Sequence, residues 1–220
     1  MTARLDRGLL LGLGLAGLLL AGAARLEKAE RPRLDRIHEE ELLYYPSGFA
    51  VRQAALGYET AAADIAWLRG IQYYGEHRLT DQKYDLIGHV MDIVTDLDPA
   101  FQEPYVFGAF VMAQEQKEPE RGLALLERGI RANPTNWRLC FEAGFLHYVC
   151  RRDYATAAQF FTWASRMPGH DPFVERFAAF AHARAGNTGV AILLWKQVLA
   201  TGNSYMQDVA RRELARLGVL

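Results

Sequence analysis

Residues 122–134 read GLALLERGIRANP and contain a pattern that appears four times in the chain. Gly122, Leu126 and Gly129 place a small, a large and a small side chain on one face of a helix, which Asn133-Pro134 then ends. These three positions recur at steps of 35, 35 and 34 residues, forming three columns. The columns are Ile87, Gly122, Ala157 and Ala191; Met91, Leu126, Phe161 and Trp195; and Val94, Gly129, Ala164 and Val198. A segment that returns with nearly constant phase predicts a repeat protein.

The rest of the chain predicts helices only. Apolar residues return every three or four positions from Leu34 onward, and no strand-like alternation is sustained. Prolines interrupt the helical segments at Pro46, Pro99, Pro134 and Pro168. We therefore expect an all-α solenoid of about four helix–turn–helix repeats with capping helices. One hairpin cannot bury the small–large–small face alone, so each must pack on the next.

The columns resemble the second helix of the tetratricopeptide repeat, which carries a small residue, an aromatic, a small residue and then proline. The resemblance covers about Ala63 to Thr201, although Ile87 and Val94 depart from the small-residue rule. The first helices and the turn resemble that family at Phe141, Gly144, Phe145, Tyr148 and Asp153-Tyr154.

A further resemblance lies upstream of the repeats. Residues 43–48 (LYYPSG), 56–58 (LGY) and 62–69 (AADIAWLR) resemble the lead-in of a bacterial group of anchored repeat proteins of unassigned function. Pro46 and Gly48 favour a turn, and the apolar helix expected after them would seal the first repeat.

The N-terminal segment predicts a membrane anchor. Gly8 to Ala24 contains 17 residues without a charge, which is the lower end of the length that crosses about 30 Å of hydrocarbon. A cleavable signal peptide with its apolar core at Leu9 to Leu20 is the alternative. The predicted organisation is a basic N-terminus at 1–7, a transmembrane anchor at 8–24, a charged juxtamembrane linker and turn at 25–48, a repeat body with its N-terminal capping helix at 49–201 and a C-terminal capping helix at 202–220.

Small residues recur within the predicted anchor. Gly8, Gly12 and Ala16 form a ridge that would let another transmembrane helix approach closely. Basic residues flank the segment on both sides, so the positive-inside count favours a cytoplasmic body, whereas a short basic N-terminus is typical of an exported domain. We expect a single-pass protein of a bacterial inner membrane with a periplasmic body, and the cytoplasmic orientation stays open.

Composition excludes several classes of protein. The 25 basic and 26 acidic residues give a net charge of −1, which argues against a strongly basic nucleic-acid binder. Cys140 and Cys150 are too few for a disulfide framework or a four-cysteine zinc site, and we expect them to be small core residues.

No stretch of the sequence predicts catalysis, and we expect no cofactor and no enzymatic activity. His89, Asp92 and Asp96 share a helix face and could hold a metal, but three ligands from one helix would encircle an ion poorly. His147 and Cys150 could also be metal ligands, but they too are few ligands from one helix. We expect His89, Asp92 and Asp96 to form a solvated polar stripe, and neither group to hold a metal or act in catalysis.

The tetratricopeptide resemblance implies a partner-binding groove lined by the first helix of each unit. Its partner-facing positions map onto Phe107, Val111 and Gln114, onto Glu142, Leu146 and Val149, and onto Arg176, Phe180 and Ala183. Such a groove is suited to an extended peptide or an amphipathic helix. The alternative is that these residues pack against neighbouring helices.

The favoured function is a membrane-anchored interaction scaffold or assembly factor, with proteins and membrane lipid as its partners and no nucleic acid. The alternative is a permanent accessory or structural subunit of a larger membrane protein complex, in which the groove is filled or unused.

Overall fold

The computed structural model describes Leu18, Ala21, Gly22, Arg25 and residues 47–220. Within these residues ten α-helices and no strand are found, which confirms the all-α class. The helices are α1 Gly48–Ala55, α2 Glu59–Leu79, α3 Ile87–Leu97, α4 Glu103–Phe110, α5 Pro119–Ala132, α6 Trp137–Leu146, α7 Tyr154–Ala164, α8 Phe173–Arg184, α9 Thr188–Thr201 and α10 Ser204–Arg216. Residues Pro46–Leu220 form one compact unit, in which each helix packs against the next along the chain.

The predicted columns lie on α3, α5, α7 and α9, the second helices of four successive hairpins. All four members of each column are buried. Phe161 and Trp195, the largest members, have no exposed surface. The small–large–small pattern therefore marks the faces along which these helices enter the core.

Gly122 shows why one column position must stay small. A Cβ atom placed on Gly122 would lie 2.7 Å from the backbone oxygen of Ala109 in α4. A backbone atom in the middle of a helix cannot move aside for it, so α4 and α5 approach closely only because glycine occupies this position.

The turns inside the hairpins repeat a backbone conformation. One residue in each turn has a positive φ, and these residues are Gln82 at 58°, Lys117 at 62°, Arg152 at 55° and Gly186 at 81°. They follow one another at steps of 35, 35 and 34 residues, the same phase as the columns. The left-handed residue closes the first helix in the manner of a helix C-cap.

Two of the first helices end in a wider π turn. Val111–Glu115 extends α4 and His147–Arg151 extends α6. The N–H of Glu118 then donates to the Met112 oxygen at 2.8 Å, and the N–H of Asp153 donates to the His147 oxygen at 3.0 Å. These bonds satisfy carbonyl groups that the end of a helix leaves without a partner.

The last helix closes the unit at its C-terminal end. Asn203 caps α10, because its Oδ1 accepts from the N–H of Met206 at 3.0 Å. Leu214 is buried in the core shared with α9, and Val209 and Leu217 are partly buried against the same core.

Among the described residues no helix is both long and apolar enough to cross a bilayer. The predicted anchor at 8–24, including Gly8, Gly12 and Ala16, lies almost wholly outside the described residues, as do residues 1–7.

Candidate partner-binding site

Aromatic rings fill most of the space between neighbouring first helices. Phe141 of α6 meets Phe173 and Phe177 of α8 at centroid distances of 5.1 and 5.2 Å. Both pairs are edge-to-face, the arrangement that aromatic quadrupoles favour. These rings join α6 to α8 and leave little room for a ligand between them.

The predicted groove positions on α4 and its π turn are occupied from within the chain. Phe107 packs edge-to-face on Trp67 and Tyr74 of α2, with centroids 5.5 and 5.0 Å apart. Val111 has no exposed surface. Gln114 is partly buried, and its Nε2 donates to the Cys150 sulfur at 3.1 Å.

The positions on α6 and its π turn differ from one another. Leu146 is buried, whereas Val149 keeps 45% of its surface exposed. Glu142 is partly buried, and this burial raises the pKa of its carboxyl, with Arg138 one turn away acting in the opposite direction. Among the described residues Glu142 forms no ion pair with Arg176, the other charged position predicted for the groove.

The three positions on α8 line open space. Arg176 and Phe180 contribute to a cleft of ≈ 470 Å³ between α8 and α10. Phe180 and Ala183 contribute to a second cleft of ≈ 560 Å³ further along α8. Phe180 and Glu213 line both clefts, so the two adjoin. We call this joint surface the α8–α10 trough; its lining residues used below are Arg176, Phe180, Ala183, Arg184, Tyr205, Val209, Arg212, Glu213 and Arg216.

The floor of the trough is rigid. The ring of Phe180 packs edge-to-face on the indole of Trp195, with centroids 4.7 Å apart. Trp195 belongs to the core shared by α8, α9 and α10, together with Ala179, Val198 and Leu214. The trough is therefore a surface built directly on packed core.

Two arginines at opposite ends of α8 lie against aromatic rings. The Arg176 guanidinium lies 5.6 Å from the Phe177 ring centroid and 5.7 Å from that of Tyr205. The Arg184 guanidinium lies 5.8 Å from the Tyr148 centroid and 5.5 Å from that of Tyr154. Such cation–π contacts hold the side chain while leaving guanidinium N–H groups available to a ligand.

Sequence reasoning did not include the α10 side of the trough. The sequence predicts the C-terminal helix only as a cap and assigns no role to Tyr205. Tyr205, Val209 and Arg212 stand at i, i+4 and i+7, which is the spacing of one helix face. That spacing was the available signal for a second wall.

The residues considered as metal ligands are engaged in packing between helices. Asp92 accepts from Arg128 of α5 at 2.7 Å, and the backbone oxygen of Asp96 accepts from Arg52 of α1. The His147 ring stacks on that of Phe160, with centroids 5.5 Å apart. Over the part of the chain that the structure describes, no three His, Cys, Asp or Glu side chains converge as metal ligands.

Both cysteines are free thiols in the helical core region. Cys140 is buried, and desolvation raises the pKa of its thiol to about 11. Cys150 is partly buried and accepts the amide of Gln114. A thiol with a raised pKa carries little thiolate and is a poor nucleophile at neutral pH.

No protein-family model matches the chain, and no curated protein matches it with significance.

Proposed function

We propose that the chain is a membrane-anchored interaction protein that docks a segment of a partner protein in the α8–α10 trough. The observation that carries this proposal is the contrast along α8. On one side of this helix Phe177 packs against Phe141, while on the other side Phe180 lines two adjoining clefts. Concave surfaces with apolar floors and a few fixed polar groups are the common form of binding sites.

The helical-repeat architecture supports this function. Buried columns and left-handed turn residues share one phase of 34 or 35 residues, as expected of a tetratricopeptide-like repeat. Proteins built from stacked hairpins use the faces of their first helices to bind peptides. Arg176, Phe180 and Ala183 lie on such a helix.

Membrane attachment is the second part of the proposal, and it rests on the sequence of residues 8–24. An anchor in a bacterial inner membrane would raise the effective concentration of partners in the same membrane without adding a contact. The protein would then act as a scaffold or assembly factor.

Site-specific photocrosslinking in native membranes tests the docking surface. A photoreactive amino acid replaces Val209 in the trough or, as a control, Leu193, which is 67% exposed on α9 and does not line the trough. We expect one discrete crosslinked partner from position 209, its loss in a background carrying Arg176→Glu, and no such product from position 193. Equal products from both positions, or none from position 209, would contradict docking in the trough.

Fractionation tests the anchor. The full chain is expected to stay with membranes after alkaline carbonate extraction, and a reporter fused after Leu220 gives the side on which the body lies. Release of the chain by carbonate would contradict a spanning anchor.

A further inference from the structure

The α8–α10 trough carries an excess of positive charge. Arg176, Arg184, Arg212 and Arg216 line it, with Glu213 as the one acidic residue among its described lining residues. Arg216 pairs with Glu213 at 2.8 Å and neutralises it. The other three arginines form no ion pair with any described residue, so three positive charges remain to attract an anion.

The two arginines of α8 also lie against aromatic rings. Each guanidinium lies against two rings, Arg176 against Phe177 and Tyr205, and Arg184 against Tyr148 and Tyr154. The Nε atom of Arg176 is buried and lacks a hydrogen-bond partner within the described part of the chain. An arginine that is already ordered loses less side-chain entropy when it pairs with a carboxylate.

The spacing of these charges limits the form of the ligand. Arg184 follows Arg176 by eight positions of α8, which corresponds to about 12 Å along the helix. An extended chain advances about 3.3 Å per residue and covers this distance in three to four residues. Phe180 lies midway between the two arginines and supplies an apolar floor.

We propose that the trough binds an extended acidic segment of a partner protein. Two Asp or Glu side chains, four positions apart and therefore on the same face of the extended segment, would pair with Arg176 and Arg184, and an apolar side chain midway between them would lie on Phe180. This inference rests on the proposed function, because it states the chemistry of the segment that docks there. The carboxylates are those of side chains, so the segment can lie inside a longer chain.

The apolar centre of the trough favours a protein segment over a nucleic acid. A nucleic-acid strand carries a phosphate at every nucleotide and would place charge against Phe180 and Val209. A peptide alternates its side chains and can direct an apolar group into the space between two carboxylates.

Selection from a random peptide library tests the inference. The library displays ten random residues inside a loop of a carrier protein, so that no free terminal carboxylate is present, and the target is the full-length protein in detergent. Wild type is expected to enrich sequences with two acidic residues four positions apart and an apolar residue midway between them, at least tenfold over the input. The double variant Arg176→Glu/Arg184→Glu should lose this enrichment and favour basic residues instead.

Arg211→Glu is the matched control. Arg211 is an exposed residue of α10 that pairs with Asp208 at 2.7 Å and does not line the trough, so this variant should select the same sequences as wild type. The single variants Arg176→Gln and Arg184→Gln follow if the double variant does not fold, and each should reduce the enrichment of one acidic position.

Three results would overturn the inference: no enrichment by wild type, enrichment without paired acidic residues, or the same enrichment in the double variant. Binding of a labelled oligothymidine as tight as that of the selected peptides would also overturn it. Failure here is separable from failure of the proposed function. A crosslinked partner whose docked segment is basic or wholly apolar would leave docking in place and refute the acidic ligand.

Discussion

The two gaps that flank α8 on the side of the first helices differ in what fills them. Between α6 and α8, Phe141 meets two phenylalanine rings and the gap is closed. Between α8 and α10, Tyr205 lies against the Arg176 guanidinium, and a cleft of ≈ 470 Å³ remains. The neighbouring helix, and not α8 itself, therefore decides which side of α8 becomes core and which becomes a surface.

The largest expected effect tests the closed gap against the open one. Phe141→Ala removes a ring that is 8% exposed, and we expect it to lower the free energy of unfolding by about 3–5 kcal/mol. Tyr205→Ala removes a ring that is 62% exposed, and about 1 kcal/mol or less should be lost. Urea unfolding followed by circular dichroism measures both, and equal losses would refute the distinction between the gaps.

The next effect concerns how closely the backbones approach in the closed part of the unit. Gly122→Ala would place a Cβ 2.7 Å from the Ala109 oxygen, so we expect a loss of about 1–3 kcal/mol through overpacking. Gly189→Ala is the matched control, because nothing lies within 4 Å of the new Cβ and alanine favours a helix. The control should leave the thermal midpoint unchanged or raise it, and a similar fall in both variants would argue against close approach as the cause.

Much of the fold was predictable because its core is periodic in residue size. The columns that contain Ala157 and Phe161 are buried at the positions that the repeat spacing predicts. They could be recognised in the sequence because side-chain size is a property of each residue and recurs every 34 or 35 positions. The repeated left-handed turns were not predictable, because Gln82, Lys117 and Arg152 are not residues typical of that conformation. Only the last turn, with Gly186, carries the usual signal.

The candidate site was predictable only in part. The family resemblance nominated Arg176, Phe180 and Ala183, all of which line the trough. It also nominated Val111 and Leu146, which are buried, because register alone does not tell whether a neighbouring helix covers a position. Whether a gap closes depends on rings contributed from elements distant in sequence, and no local pattern contains that information.

A smaller effect is expected from filling the open gap. Val209→Phe adds a ring to the wall of the trough opposite Phe180, and the area it buries should raise the free energy of unfolding by about 1 kcal/mol. Crosslinking to the partner is then measured with the photoreactive residue at position 183, which also lines the trough. Val209→Phe should abolish this crosslink, because the filled trough has no room for a partner segment.

Val190→Phe is the control for this variant. Val190 is 44% exposed on α9 and does not line the trough, so the added ring should change neither stability nor crosslinking beyond experimental error. An unstable Val209→Phe protein would mean that the trough is narrower than its volume indicates. Unchanged crosslinking would mean that the partner does not enter it.

The smallest effect concerns a histidine on the face of α8 that packs against α7. His182 faces α7, where its Nε2 lies 3.0 Å from the Thr162 hydroxyl, and burial lowers its pKa below the ordinary value of 6.5. The unfolded chain then binds a proton more readily than the folded protein, so this contribution to stability is present above pH 6.5 and is lost as the pH falls toward the lower folded pKa.

His182→Gln keeps a hydrogen-bonding group but cannot titrate, so its unfolding free energy should fall less than that of wild type between pH 7.5 and 5. Burial also lowers the pKa of His147, but this residue is present in both proteins and its effect cancels in the comparison. Parallel pH profiles would mean that His182 is as well solvated in the folded protein as in the unfolded chain, which would contradict its burial against α7.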